Sequence, residues 1–589
     1  MYMNLKRFIN VFKNSNRNDR YIVYITLIYI IWCFWFIFRS SFVGSDGIRY
    51  YLIFDDGLIS FKYALNLVKG HGLVWNPGEF IEGFSNPLWT IIMACSIYIF
   101  GQSLAPLIIQ LLGFLFLLLS GITLYRIIYI INIRLNIIED NLILIPTILF
   151  WSYYPISYWA LSGMEVSLLI YLNITIFYIT FKHIYLKENK YIYFLIFIFI
   201  SIAYLTRPDG FLTILPLLCL VIFHDYKNKK LQILNILASS SIFIFSIILI
   251  FYFRYLLYQD TVPNTYHLKI DGYDLILRLT NGIGFIKLFI IEISIFLFLS
   301  IYIVMKNIKN LNILFILSIP IIGLLYQIYV GGDPWDRWRQ LVPSLFVYFI
   351  LFYLVLINIK KNLINKKTII TLLLIIATLN ILIISSGIQE RENDILAYQI
   401  IYLVFIVLFF VLIKYLKNHH IIYLLIVFSI LFSDYRYLEE QLIRRSLLYS
   451  FASQKPQVDF AIKLNKISNE NIKLGLFWAG TIPYYSHGYT IDFLGKCDNY
   501  ISTLKPDESV SWNGMKGVPG HSKYDLNYSI KTLEPDWIEN YKWGKDNLID
   551  YVSKNYVKLE YNNNILDGCF KNNSKNIYWD KVNIIGNCQ

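Results

Sequence analysis

Long apolar stretches alternate with short polar ones along most of the chain. Runs at 21–38, 105–125, 233–252, 368–384 and 402–413 approach or match the ~20 residues of a spanning helix. Each predicts a membrane-crossing α-helix. The apolar run at 86–100 is shorter, and if it crossed, Arg126 and Arg134 would fall on the outer side. It predicts instead a helix lying at the outer interface, where Trp89 suits the headgroup level. Residues 105–130 are then the second span. The run at 192–220 is broken midway by "TRPDG" at 206–210. Arg207 and Asp209 would each cost about 2.5–3.5 kcal/mol at a helix centre. Two helices turning at 207–210 on the outer face avoid that cost.

The pattern changes near residue 434. Polar positions take over, with turns and strand-like runs such as "IKLGLFW" and "YTIDFLG". Residues 1–433 therefore read as a membrane domain and 434–589 as a small soluble α/β domain.

Composition excludes an ordinary soluble protein: of 589 residues, 57% are hydrophobic and only 15% charged. The net charge of +13 is largely a topology signal. Lys6, Arg7, Lys13, Arg17 and Arg20 precede the first apolar run, and short basic loops recur at 187–190, 227–230, 306–309, 360–367 and 414–417. Placing all of these in the cytoplasm gives about thirteen spans, an uncleaved first span, and an outer location for loops 39–104 and 256–282 and for the C-terminal domain. The basic residues form no single patch, which argues against nucleic acid. Cys569 and Cys588, in the outer domain, are the favoured disulfide pair, and no Cys/His spacing suggests zinc.

Chemistry is concentrated on the outer side. In "FDDGLISFKYALNLVKGHG", Phe54, Leu58, Phe61, Leu65 and Val68 recur at helical spacing. Asp56 stands where an N-cap would, and Asp55 lies just before it at the positive helix end. A pair of acids at a helix start also serves merely to cap and solvate a surface helix. Here, however, "SGME" (162–165), "TRPDG", "VPNTYHLK" (262–269) and "GGDPWDRWRQLVP" (331–343) fall on the same face. Asp55, Asp56, Glu165, Arg207, Asp209, His267, Lys269, Asp333, Arg337 and Arg339 are thus gathered on one side of the membrane. Arginine and lysine suit a phosphate, and a nearby carboxylate suits a general base or a metal ligand. The set fits attack by an acceptor hydroxyl on a lipid-linked phosphosugar. No glycine-rich phosphate loop points to a nucleotide.

These residues also carry a resemblance. "DDGLISFKYALNLVKGHGLVWNPGEFIEGFSNPLWT" resembles the first outer loop of GT-C-type membrane glycosyltransferases, and looks closest to the branch of terminal arabinofuranosyltransferases. Lys62 stands where relatives usually carry Arg, and Val166 of "LSGMEVSLL" where they carry Thr. "TRPDG", "PNTYHLK", "GGDPWDRWRQLVP", "AGTIPYYSHGYTIDFLG" and "GHSKYD" extend the likeness over nearly the whole chain. It implies a mainly α GT-C bundle and an inverting transferase that uses a polyprenyl-phosphate sugar. The acceptor would be an envelope glycan, lipid or protein, beside the membrane lipids, in a plasma or inner membrane. Asp55, then Asp56, would be the catalytic carboxylate. Arg207, Asp209, His267, Lys269 and Arg339 would hold donor phosphate or sugar. Lys62, Tyr63, His71, Glu82, Asn86, Glu165, Asn264, Asp333 and Arg337 are further site candidates. The resemblance fixes no cofactor, since some GT-C enzymes use a divalent cation and others do not; one, if used, would fall to Asp55, Asp56 and Asp333. Two other classes stay open: a transporter of lipid-linked glycans, and a non-catalytic envelope protein whose Trp- and Tyr-rich tail binds glycan.

Overall fold

The apolar runs fold as helices because a helix satisfies its backbone N–H and C=O groups internally, as lipid cannot. The computed structural model describes residues 17–364 and 451–588, apart from 138–140, 187–190, 336, 452 and 513, with a few more between 365 and 450. Helix α1 (Arg17–Arg39) leads into a hairpin of β1 (Ser41–Val43) and β2 (Arg49–Tyr51). Next come α2 (Asp55–Val68), α3 (Pro87–Phe100) and α4 (Ala105–Arg134). The short α5 (Ile145–Ser152) and α6 (Tyr154–Leu161) precede α7 (Val166–Phe181), α8 (Ile192–Thr206), α9 (Leu215–Lys227) and α10 (Ile233–Tyr258). After α11 (Asn264–Ile270) follow α12 (Leu275–Glu292), α13 (Ser294–Lys306), α14 (Leu311–Val330) and α15 (Phe346–Lys360).

Six segments among the described residues are long and apolar enough to cross a membrane: α1, α4, α7 with the turn after it, α10, α14, and α15 with the turn before it. Helices α12 and α13 pass the same test only together, bent by 87°. The chain is a multi-pass membrane protein, with six or seven such segments here against the larger number expected. One reason is length: α8 and α9 have 15 and 13 residues, short of a bilayer at about 1.5 Å per residue. The runs at 368–384 and 402–413 lie outside the described residues, as does the expected boundary at 433/434. Helix α3, with 14 residues and Pro at its start, has the length expected of an interfacial element. The break at Arg207 is present, since α8 ends there and α9 starts only at Leu215.

Small residues set the packing. A Cβ on Gly113 of α4 would lie 2.0 Å from the Ala160 carbonyl oxygen, and one on Gly121 would lie 2.2 Å from the Trp151 ring. Both glycines let α4 approach α5 and α6 closely, the usual device where lipid supplies no hydrophobic drive.

The C-terminal region opens with α16 (Gln454–Ile467), β3 (Lys473–Leu476), α17 (Thr481–Tyr485) and β4 (Tyr489–Asp492). Then come β5 (Trp537–Ile538), β6 (Tyr556–Tyr561), β7 (Asn564–Ile565), β8 (Cys569–Lys571) and β9 (Asn583–Asn587). The sheet runs β7-β6-β8-β5-β3-β4, with β9 also on β6. Strand β3 is parallel to both β4 and β5, and the remaining pairs are antiparallel. Cys569 and Cys588 are bonded, as expected.

Helix α2 joins the two regions. The sequence predicts one apolar face, yet residues 57–66 are all buried. Leu58, Phe61 and Leu65 pack into the bundle core. Ile59 and Tyr63 pack with Leu464, Leu474, Leu476 and Ile482 of the sheet region. An amphipathic helix needs only one partner; this one has a core on each side.

Candidate functional site

The site is built where the sheet meets the start of α2. Loops at the carboxyl ends of parallel strands are free of pairing and point the same way. Here the loop after β3 carries Gly480 and leads into Thr481 at the start of α17, the loop after β4 carries Lys496, and Glu539 follows β5. The first two meet the Asp pair directly.

Asp55 Oδ1 accepts from the Thr481 backbone N–H at 2.8 Å and from its hydroxyl at 2.7 Å. Asp56 instead accepts from Lys496 Nζ and Arg339 Nη1, each at 3.0 Å. Phe54, not Asp56, holds the N-cap position of α2, and no side chain caps the helix. Asp56 therefore does not cap; its carboxylate is drawn away by two cations. The two acids titrate in opposite directions. Burial raises the Asp55 carboxyl and the Asp56 charge adds to this, against the Thr481 bonds and Lys496. Burial would raise Asp56 too, but Lys496, Arg339 and Lys269 outweigh it and hold Asp56 well below the usual carboxylate range.

Arg339 also pairs with Asp333, Nη2 to Oδ2 at 3.0 Å. Its placement follows from an unusual loop: Arg337 and Trp338 are consecutive left-handed residues, with φ 67° and 58°. Such conformations are costly for non-glycine residues and persist where the surroundings impose them. Arg337 lies over the Tyr158 ring, 4.3 Å from its centroid, so it faces the bundle. A second network runs beside the first. Arg207 binds Glu165 Oε1 at 2.9 Å and Asp209 Oδ1 at 2.9 Å. Asn86 donates to Glu165 Oε2 at 3.0 Å, and Ser60 of α2 donates to Asn86 at 2.8 Å. A narrow pocket lies between the networks, lined by Arg207, Asp209, Tyr326 and Arg339 and by the apolar Val166, Leu169, Leu212 and Pro343.

Lys269, at the end of α11, is half-buried. Among the described residues its ammonium has no hydrogen bond or ion pair. Burial lowers its pKa, and nearby Arg339 and Lys496 act in the same sense against Asp333 and Asp56.

Other candidates hold loops rather than join the cluster. Asn264 donates to the Gly495 and Lys496 carbonyls at 3.0 Å, which fixes the loop that presents Lys496. The Tyr63 hydroxyl donates to the Ile81 carbonyl at 2.6 Å and accepts from the Gly83 N–H at 2.8 Å. Glu82 pairs with Arg254 at 2.7 Å. His267 lies between Asp260 and Asp271, at 2.9 and 2.6 Å. Lys62 is buried within α2, and that burial, with Lys69 nearby, pushes its ammonium down to about 8. His71 is exposed.

The donor set does not fit a divalent cation. Asp56 and Asp333 already face Arg339, Asp56 also faces Lys496, and Asp55 is held by Thr481. Cationic neighbours oppose a hard metal ion. Among the described residues the one close metal-capable group is His183, His224 and Asp225, elsewhere in the fold, where Asp225 accepts from both imidazoles at 3.0 and 3.1 Å.

Thr481, Lys496 and Glu539 were not singled out by the sequence. Thr481 lies within "AGTIPYYSHGYTIDFLG" and Lys496 directly follows it, but only the sheet order shows that β3, β4 and β5 end together.

Fold and site define a multi-pass helical bundle capped by a sheet-bearing region, with a buried charged cluster at the junction. Two crystal structures of ArnT from Cupriavidus metallidurans share this architecture. The apo structure matches with TM-score 0.50 at 12% identity, over 82% of this chain and 87% of that one. The structure bound to undecaprenyl phosphate matches with TM-score 0.51 at 12% identity, over 81% of this chain and 87% of that one. The likeness shows a shared fold with these two structures; the narrower arabinofuranosyltransferase branch gains no support from it. No protein-family model and no curated protein sequence matches the chain.

Proposed function

We propose that the chain is a membrane glycosyltransferase that moves a sugar from a polyprenyl-phosphate donor to an acceptor hydroxyl on the outer face. The observation that carries this reading is Lys269, a half-buried cation without a protein partner among the described residues, set beside Asp56, Asp333, Arg339 and Lys496. Its ammonium is not taken up by a protein counter-ion among the described residues, and a phosphate oxyanion would pair it. The adjoining pocket brings Arg207 and Arg339 together with the apolar Val166, Leu169, Leu212 and Pro343, the two kinds of contact that a lipid phosphate calls for. The ArnT structure that binds undecaprenyl phosphate shares the fold, and the sequence resemblance implies the same donor class.

In this reading Asp55 is the base. Its raised carboxyl takes the acceptor proton as the acceptor oxygen bonds to the sugar anomeric carbon. The bond from that carbon to the phosphate oxygen breaks, and polyprenyl phosphate departs with the electron pair. Attack opposite the departing phosphate inverts the anomeric centre. Lys269, Arg339 and Arg207 stabilise the charge that develops on the phosphate, as fixed donors do at an oxyanion site. Asp56, held ionised by two cations, fixes Arg339 and Lys496. A positioned base contributes about 10²–10⁴-fold. The start of α1, with Arg17 and Arg20, faces the cytoplasm under the positive-inside rule, which puts α2 and the sheet outside, in a plasma or inner membrane.

The test is turnover by the purified chain in nanodiscs, supplied with polyprenyl-phosphate sugars and an envelope extract. Release of polyprenyl phosphate with a new glycosidic bond is expected, and K269A should abolish it. Movement of the lipid between leaflets without a new bond would replace this reading with a transporter.

A further inference from the structure

A second constellation adjoins the charged cluster. Trp335, on the loop that carries Arg339, has its ring centroid 6.1 Å from Trp478 and 5.7 Å from His521. Trp478 lies 5.8 Å and Trp512 4.9 Å from the same imidazole. The three indoles are half-exposed, whereas His521 is only 2% exposed. Trp543 backs the group, 6.3 Å from both Trp478 and Trp512, and donates its indole N–H to the His521 carbonyl at 2.9 Å.

The imidazole has one partner and one vacancy. Its Nδ1 lies 3.2 Å from the Pro519 carbonyl, which can only accept. Nδ1 therefore carries the proton, and Nε2 presents a lone pair. That Nε2 is buried and has no hydrogen-bond partner. Burial, with Lys496 beside it, keeps the ring neutral. An unsatisfied acceptor in such a setting costs about 1–3 kcal/mol, and a ligand hydroxyl would satisfy it. Partly exposed indoles beside such an acceptor suit a ring with apolar C–H faces and hydroxyl edges.

The constellation leads to the reacting centre. Trp335 makes an edge contact at 5.0 Å with Phe54, the residue before Asp55. Trp478 is followed closely by Gly480, which packs against Asp55, and by Thr481, which holds it. Glu539 takes the Phe477 N–H at 2.8 Å on the same loop.

We propose that Trp335, Trp478, Trp512 and His521 form the acceptor subsite and that the acceptor is a carbohydrate, whose ring stacks on the indoles and gives a hydroxyl proton to His521 Nε2. This rests on the transferase reading for its place in the reaction, though not for the binding itself. A protein side-chain or simple lipid acceptor would make little use of three indole faces.

The experiment uses the full chain in nanodiscs and, as probe, the delipidated glycan fraction from the envelope of cells lacking this protein. Saturation-transfer NMR without donor should show the wild type contacting sugar protons. W478A and W512A should lose that signal, and W512F, which keeps a ring, should retain it. With donor present, W478A and W512A should raise the acceptor KM at least tenfold, more than they lower kcat, with the donor KM little changed. A saturation signal and acceptor KM both unaltered in W478A and W512A would overturn the subsite. If the wild type consumes no lipid-phosphosugar, the transferase reading fails instead, and the NMR arm still decides whether glycan binds here.

Discussion

Lys496 reaches from the sheet region to Asp56 on α2, 440 positions earlier, and pairs with it at 3.0 Å. The contact closes the site: without the sheet region, Asp56 would keep one direct partner, Arg339. Lys496→Met should therefore lower sugar transfer about 100-fold, the scale of losing one fixed donor at a charged centre. Donor binding should change less, because Lys269 and Arg207 remain. Transfer within threefold of wild type would remove Lys496 from the reacting centre.

The opposite titration of the two acids predicts different outcomes for D55N and D56N. D55N should abolish transfer while leaving the fold intact, because its one oxygen partner, Thr481, can still bond an amide oxygen. D56N should weaken the hold on Arg339 and Lys496, so that thermal stability falls as well as activity. Breaking one partner of a buried pair typically costs about 3–5 kcal/mol. Equal melting temperatures for the two variants would contradict the division of roles.

Thr481 supplies a pH test of Asp55 as base. Its hydroxyl bond favours the ionised carboxylate and so lowers the Asp55 pKa. Thr481→Val removes that bond. Ionised Asp55 should then form only at higher pH, and the acidic limb of kcat should move upward. A limb that stays in place, in a variant that still turns over, would mean that another group sets it.

Much of the site was legible, and what was missed has a common cause. Asp55, Asp56, Glu165, Arg207, Asp209, Asp333 and Arg339 stood out because charge is expensive near a membrane, so any acid or base in an apolar chain asks for a reason. The break at Arg207 followed from the same cost. Thr481, Lys496 and Glu539 sit in a polar region, where a threonine, a lysine or a glutamate is ordinary. What makes them special is that β3, β4 and β5 run parallel and end together over α2, a long-range relationship with no local signature. His267 shows the converse. It stands two residues before Lys269, but α11 turns it outward to Asp260 and Asp271.

Gly480 is a steric test of the docking. A Cβ there would lie 2.1 Å from the Asp55 carbonyl oxygen and 2.7 Å from Oδ1. Backbone cannot yield as a flexible side chain can, so Gly480→Ala must push α17 and α2 apart. The expected loss is about 1–3 kcal/mol, as for other overpacked sites, together with most of the transfer activity. Gly284, where a Cβ would meet only the Gly514 carbonyl at 3.6 Å, is the control. G284A with wild-type stability and G480A without it would locate the strain at the Asp55 contact.

Glu539 makes the stability of the junction depend on pH. Burial, with the charge of Asp55 beside it, lifts its carboxyl from the ordinary 4.5 to about 7, against the N–H bonds from Phe477 and Trp478. A group with a raised folded-state value binds its proton more tightly folded than unfolded. Stability must then fall as pH rises from about 4.5 to about 7, and Glu539 adds no further slope above that. Glu539→Gln cannot ionise, so its thermal unfolding in nanodiscs should decline less over this window. A smaller slope should persist, because Asp55 is raised as well. D55N should move the Glu539 step to lower pH by removing the charge that pushes it up. Identical slopes for wild type and E539Q between pH 4.5 and 7 would show that Glu539 is not the titrating group at the junction.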